Sequence, residues 1–278
     1  MTRLLLSLIR LTRFWNLIII ALTQYATAWF LVSAEKVLDL CLFLLATSTV
    51  MIAAAGYIIN DYYDVKIDLI NKPERVVIGK EITRRYALLF HVALTFGGVG
   101  LGFILDWKIG VINFSAAFLL WLYSNALKRH PFVGNFSVAL LTGMSVFVVN
   151  VLYPPLLLLT WVYALFAFFI TLVREILKDF EDLKGDDTFG CKTLPIVWGI
   201  RRTKQFTYLL LAFFSIVVLL LDRFVTPLPM TFFAGFLFVP MLILLLWLIR
   251  ADTKTDFYLL SQFCKVIMLA GILSMAFL

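Results

Sequence analysis

The sequence predicts an all-α, polytopic membrane protein with nine transmembrane helices and two acidic cytoplasmic loops. Three observations lead there. Of 278 residues, 63% are hydrophobic and the mean hydropathy is +0.99, whereas a soluble domain is about half apolar. Apolar runs long enough to cross a bilayer recur along the whole chain. The Lys and Arg residues alternate between crowded and nearly empty connections.

The predicted spans, in order, begin with 14–34, preceded by Arg3, Arg10 and Arg13 and long enough to be a retained helix rather than a cleaved leader. The second, 38–59, runs directly into an acidic cluster. The third, 86–105, follows the Arg84-Arg85 pair, and the fourth, 109–127, lies between Lys108 and Lys128-Arg129. Pro154-Pro155 separates the fifth, 135–152, from the sixth, 156–178, which ends at a second acidic cluster. The seventh is 204–222. The eighth, 229–250, contains Pro240 and is expected to kink there. The ninth, 257–277, brings the chain to its last residues. The whole of 1–278 reads as a single transmembrane domain. The two long connections, roughly 61–85 and 179–203, lie four spans apart, which suggests an internal four-helix pseudo-repeat.

Connections after spans one, three, five and seven hold Lys36, Lys108 and Arg223 as their only Lys or Arg. The other side collects nearly all the rest, including Lys66, Lys72, Lys80, Lys128, Arg129, Lys184, Lys192, Arg201 and Arg202. The positive-inside rule then predicts both acidic clusters in the cytoplasm, with the plasma membrane as the location. The net charge of +7 is explained by orientation and anionic head groups, so no nucleic-acid partner is expected. His91 and His130 are too far apart in sequence to suggest a zinc site, and Cys41, Cys191 and Cys264 show no paired motif.

The chemistry lies in the acids. Asp61, Asp64 and Asp68 share one helix face, and Asp179, Asp182 and Asp186 repeat the spacing. Carboxylates near a membrane are costly and usually functional. Two such faces turned toward each other form a hard oxygen site suited to Mg²⁺, which commonly completes its shell with substrate phosphate oxygens. The predicted ligands are Asp61, Asp64, Asp68, Asp182 and Asp186, with Asn60 as a further oxygen donor or a helix cap. Asp179 completes the second face but is near enough to Arg174 and Lys178 to pair with them. Glu181 and Asp187 are expected to face solvent. A phosphorylated substrate needs cations as well, and Lys128 and Arg75 are the first candidates, then Arg174 and Lys178. Tyr123 and Asn16 are candidates to contact the substrate, with Arg13 beside them as either a contact or an anchor. Some of the 27 phenylalanines are expected to line a slot for an apolar chain.

These residues resemble the UbiA-type intramembrane prenyltransferases. Asn60, Asp61, Asp64 and Asp68 match that family's first acidic motif, and Asp182 with Asp186 matches its second. Tyr123 and Lys128 resemble the tyrosine-to-lysine signature between them, with four intervening residues where three are common. A finer resemblance is to the branch that makes digeranylgeranylglyceryl phosphate. It rests on Asn60 to Asn71 with Pro73 and Arg75, on Tyr123 to Asn135, and on Arg174 to Ile196. Where that branch often continues with prolines and a Ser-Gly turn, this chain has Val76-Val77-Ile78-Gly79-Lys80.

The resemblance implies an Mg²⁺-dependent enzyme that moves a prenyl group from an allylic prenyl diphosphate to a lipid-soluble acceptor in the bilayer. Asp61, Asp64, Asp68, Asp182 and Asp186 are then its catalytic acids. The favoured acceptor is a prenylated glycerol phosphate, giving an ether lipid; the alternative is an aromatic ring in quinone-type biosynthesis. A membrane cation transporter is the reading from a different class, but its acids belong near mid-membrane, not at helix ends.

Overall fold

The structure, a computed structural model, describes residues 2–155, 157–225 and 238–277; the side chains of 2–5, 75, 218 and 221–225 are outside the description. The described residues are helical nearly throughout. In chain order the helices are α1 Thr2–Leu11, α2 Phe14–Ala26, α3 Leu40–Asn71, α4 Arg84–Leu105, α5 Trp107–Asn125, α6 Val133–Leu152, α7 Leu158–Glu181, α8 Leu183–Thr188, α9 Leu194–Trp198, α10 Ile200–Val225, α11 Val239–Arg250 and α12 Lys254–Ser274. Among the described residues six helices are long and apolar enough to cross a membrane: Phe14–Val32 (α2 with its π-helical extension), α3, α4, α6, α7 and Lys254–Phe277. The chain is an integral membrane protein. Helix α5 overlaps the fourth predicted span except for its last two residues, and α10 contains the seventh. Most of the first half of the eighth, residues 229–237, lies outside the described residues, and Pro240 is the second residue of α11.

Two compact units emerge. The first comprises residues 1–128 and 148–155, the second 129–147 and 156–278, so α6 contributes to both.

In the first unit α3 packs against α2, α4 and α5. Lipid tails are as apolar as leucine, so close approach and interhelical hydrogen bonds must hold such helices together. Both are present. Asn113 of α5, nearly fully buried, donates to Ser48 Oγ of α3 and to the Gly98 carbonyl of α4, each at 3.2 Å. A Cβ on Gly98 would lie 2.9 Å from the Ser48 carbonyl and 2.7 Å from Ile52 Cγ1. Gly98→Ala therefore forces α3 and α4 apart and is expected to lower stability by about 1–3 kcal/mol. Gly100→Ala, with nothing within 4 Å, is expected to be neutral or slightly stabilising through helix propensity. Thermal melting of both variants in detergent checks the contrast; equal melting points would remove the close-approach argument. At the other end of α3, Asp39 caps the helix through the Cys41 N–H at 2.9 Å and accepts from the Tyr153 hydroxyl at 2.8 Å. Those two bonds hold its carboxyl below the usual carboxylate range.

The Val76–Ile82 segment is a tight apolar turn. Gly79 adopts φ 88, which a side chain would strain, and the N–H groups of Lys80, Glu81 and Ile82 all point at the Val77 carbonyl. Val77, Ile78 and Ile82 bury against Leu11 of α1, Ile58 of α3 and Ala87 of α4. Ser7 donates to Glu81, and Arg10 donates to the same carboxylate at 2.9 Å, fastening α1 over the turn.

In the second unit α7 packs against α10 and α12 around Ile176, Leu177, Leu244, Leu248, Leu260 and Cys264. Phe180 stacks on Phe257 with centroids 4.5 Å apart. Lys204 donates to the Ala251 carbonyl and to Asp252 at 3.1 Å, closing the last turn of α11. A capping box of Thr253 and Asp256 starts α12.

Candidate active site

The first acidic set does not lie in a loop. Helix α3 runs for 32 residues, and Asn60, Asp61, Asp64 and Asp68 occupy its last three turns. The predicted boundary at 59 marks where apolar residues stop, not where the helix stops. Nothing from 60 to 71 breaks a helix, and Pro73, two residues past Asn71, forbids its continuation. The three carboxylates are half-buried and share one face.

Cations reach this face from two other elements. Arg13, between α1 and α2, has a left-handed backbone with φ 52. That conformation directs the guanidinium to Asp61 Oδ1 at 2.8 Å and over the Tyr57 ring, 4.9 Å from its centroid. Burial alone would lower the pKa of Arg13. The opposing charge of Asp61, helped by Tyr57 and Asp68, raises it above the ordinary arginine value, so the group stays charged. Lys128, in a short 3₁₀ turn after α5, pairs with Asp64 Oδ1, and both side chains are mostly shielded. Asn16 donates to the Tyr57 hydroxyl at 3.3 Å, one turn before Asp61. Tyr123 is half-buried on α5, five residues before Lys128. Asn60 Oδ1 is buried without a hydrogen-bond partner. Arg75 closes the short turn Pro73–Arg75.

The second acidic set bends. Asp179 and Glu181 finish α7, Asp182 leaves helical geometry at φ −96, ψ 4, and Asp186 lies in α8. The Asp186 N–H still bonds the Asp182 carbonyl at 3.1 Å, so the two acids keep a one-turn relation across the break. Asp179 does interact with the charge of Lys178, and it gains a partner that spacing did not name. Asn135 Nδ2 donates to Asp179 Oδ2 at 2.9 Å, while Glu175 takes both cations: Arg174 at 2.5 Å and Lys178 at 3.2 Å. Glu181, expected in solvent, is buried at 6% exposure, whereas Asp187 is exposed as expected. The Lys192 N–H bonds the Arg129 carbonyl at 2.9 Å, tying the segment after α8 to the turn before α6.

Sequence reasoning missed Tyr57, Glu175 and Asn135 as members of these sites. Tyr57 stands four residues before Asp61, and Glu175 four before Asp179. The one-turn spacing that linked the acids extends to them.

Among the described residues no three His, Cys, Asp or Glu side chains converge closely enough to hold a metal ion. The donor chemistry nevertheless fits Mg²⁺. Each set offers hard carboxylate oxygens, and the unsatisfied Asn60 Oδ1 costs about 1–3 kcal/mol unless something binds it.

Residues 19–264 match the model of the UbiA prenyltransferase family. A digeranylgeranylglyceryl phosphate synthase from Saccharolobus solfataricus is 38% identical over 243 residues, covering 86% of this chain and 82% of the relative. The same enzyme from Methanosphaera stadtmanae is 32% identical, covering 86% and 85%. Among solved structures, a UbiA homologue from Archaeoglobus fulgidus bound to GPP and Mg²⁺ is similar at TM-score 0.72 and 17% identity, covering 97% of this chain and 99% of that one.

Proposed function

The chain belongs to the UbiA prenyltransferase family, and on that premise we propose that it transfers a geranylgeranyl group from its diphosphate to the free hydroxyl of a prenylated glycerol phosphate, making an ether lipid. The similarity to relatives named digeranylgeranylglyceryl phosphate synthase, over more than four fifths of both chains, is the observation that carries this reading. The homologue solved with GPP and Mg²⁺ supports the choice of donor class and ion.

In this reading Asn60, Asp61, Asp64 and Asp68, and separately Asp182 with Asp186, would offer oxygen ligands to Mg²⁺. When bound, the ion neutralises diphosphate charge and favours its departure. Arg13 and Lys128 donate charge-assisted hydrogen bonds to phosphoryl oxygens. The donor's C–O bond breaks with its electron pair leaving on diphosphate. A lone pair of the acceptor hydroxyl forms the new C–O bond, and that hydroxyl's proton is lost. The apolar helices keep water from competing with the acceptor. Both acidic sets face the cytoplasm, and the protein resides in the plasma membrane.

The test supplies purified protein in lipid nanodiscs with geranylgeranyl diphosphate and Mg²⁺. A geranylgeranylglyceryl phosphate and several aromatic acids are offered separately, and products are read by mass. An ether formed on the glycerol acceptor is expected. Product from an aromatic acid alone would overturn the assignment. Orientation is tested in a Cys41→Ser background with a membrane-impermeant thiol reagent. Lys72→Cys and Lys192→Cys should react only from the cytoplasmic side, and Lys108→Cys only from outside. Labelling of positions 72 and 192 from opposite sides would refute a shared face.

A further inference from the structure

The proposed reaction has two phosphate-bearing substrates, and α7 carries a cation pair that the donor chemistry does not use. Arg174 and Lys178 lie one turn apart and share one carboxylate, Glu175, itself 7% exposed. Asp179, next along the helix, accepts from Asn135 at its Oδ2 and also interacts with the charge of Lys178. Arg174 also keeps its Nε–H shielded from solvent with no acceptor. A buried donor without a partner is costly and rare in a native protein.

A phosphate monoester supplies such an acceptor beside two cations. It brings up to two negative charges and three oxygens, and guanidinium groups recognise it through paired N–H donors. Donor diphosphate and acceptor phosphate share this chemistry, but their positions differ. Arg174 precedes Asp182 by eight residues, a rise of about 12 Å if helical geometry held throughout. An anion there is set back along α7 from one held at Asp182 and Asp186. The acceptor's phosphate is likewise set back from the reacting centre by its glycerol.

Resting on the proposed function, we infer that Arg174 and Lys178 receive the phosphate of the acceptor lipid, making them the residues that select a phosphorylated acceptor over a neutral one.

Binding is measured in nanodiscs with EDTA present, so that no metal contributes. The probes are geranylgeranylglyceryl phosphate, the same lipid without its phosphate, and geranylgeranyl diphosphate. Arg174→Gln should weaken the phosphorylated lipid about ten- to a hundredfold and leave the other two unchanged. Lys178→Gln should give a smaller loss with the same selectivity. Arg174→Lys, which retains the charge but not the paired donors, should lie between wild type and Arg174→Gln, and it carries the test if the glutamine variant fails to fold. Equal weakening of the phosphorylated and neutral lipids, weakening confined to the diphosphate, or no change would each overturn the inference. A wild-type protein that makes no ether in the mass assay overturns the proposed function itself. A wild type that makes the ether while Arg174→Gln binds its acceptor normally overturns only this inference.

Discussion

Asp64→Ala and Asp182→Ala each leave the protein in the membrane and lower turnover by about a hundred- to a thousandfold, the scale of removing a group that stabilises developing charge. Asp64 stands on the last turns of α3 and Asp182 at the break between α7 and α8, so each probes one acidic set. In Asp64→Ala the ammonium of Lys128 loses its carboxylate, and Asp64→Asn keeps the shape while removing the charge. The asparagine variant should lose nearly as much activity as the alanine one, because neutral amide oxygen is a poorer ligand for a hard cation. EDTA should stop the wild-type reaction, and Mg²⁺ should restore it. Near-normal rates in both alanine variants, measured on protein that still melts cooperatively, would defeat the site.

Lys128→Ala is expected to reduce kcat/KM with the prenyl diphosphate about ten- to a hundredfold, by loss of one charge-assisted contact. The structure adds a second readout. Lys128 holds Asp64 Oδ1, so in the proposed site it competes with Mg²⁺ for that oxygen. Its removal should therefore lower the Mg²⁺ concentration giving half-maximal rate while the maximal rate falls. The loss should be the same for every acceptor, since all share the donor. Lys128→Gln guards against a folding defect from leaving Asp64 unpaired, which in a mostly buried site costs about 3–5 kcal/mol. Unchanged turnover together with unchanged Mg²⁺ dependence would return Lys128 to a loop charge that only orients the protein.

The membrane-spanning pattern was legible because the lipid core demands long apolar runs. The span read at 86–105 is Arg84–Leu105, and that at 135–152 is Val133–Leu152. The end of α3 was misread because hydropathy measures contact with lipid, whereas a helix needs only backbone hydrogen bonds and no proline. Spacing correctly put Asp61, Asp64 and Asp68 on one face. It did not name their partners, since the contacts of Arg13 with Asp61 and of Lys128 with Asp64 span 48 and 64 positions of chain. Arg13's left-handed backbone has no sequence signature, because arginine rarely adopts it. Glu181 misled for a similar reason. It is off the acidic face, which suggests solvent, yet burial by neighbouring segments leaves no local mark. The charge balance around Glu175 was hidden because Arg174 and Lys178 looked equally able to serve Asp179.

The length of α3 sets a depth. Counted from its first residue, Leu40, about twenty residues consume the roughly 30 Å of hydrocarbon at 1.5 Å per residue. Asn60 is the twenty-first residue, so a hydrocarbon core entered at Leu40 would end at the first acidic set. In the proposed reaction, two amphiphiles anchored by their own tails would meet such a site without leaving their leaflet. Encounter is then two-dimensional, and the governing variable is mole fraction in the bilayer, not amount per volume of buffer. Adding inert lipid at fixed protein and substrate should slow turnover in proportion to the dilution of the surface, while adding buffer should leave it unchanged.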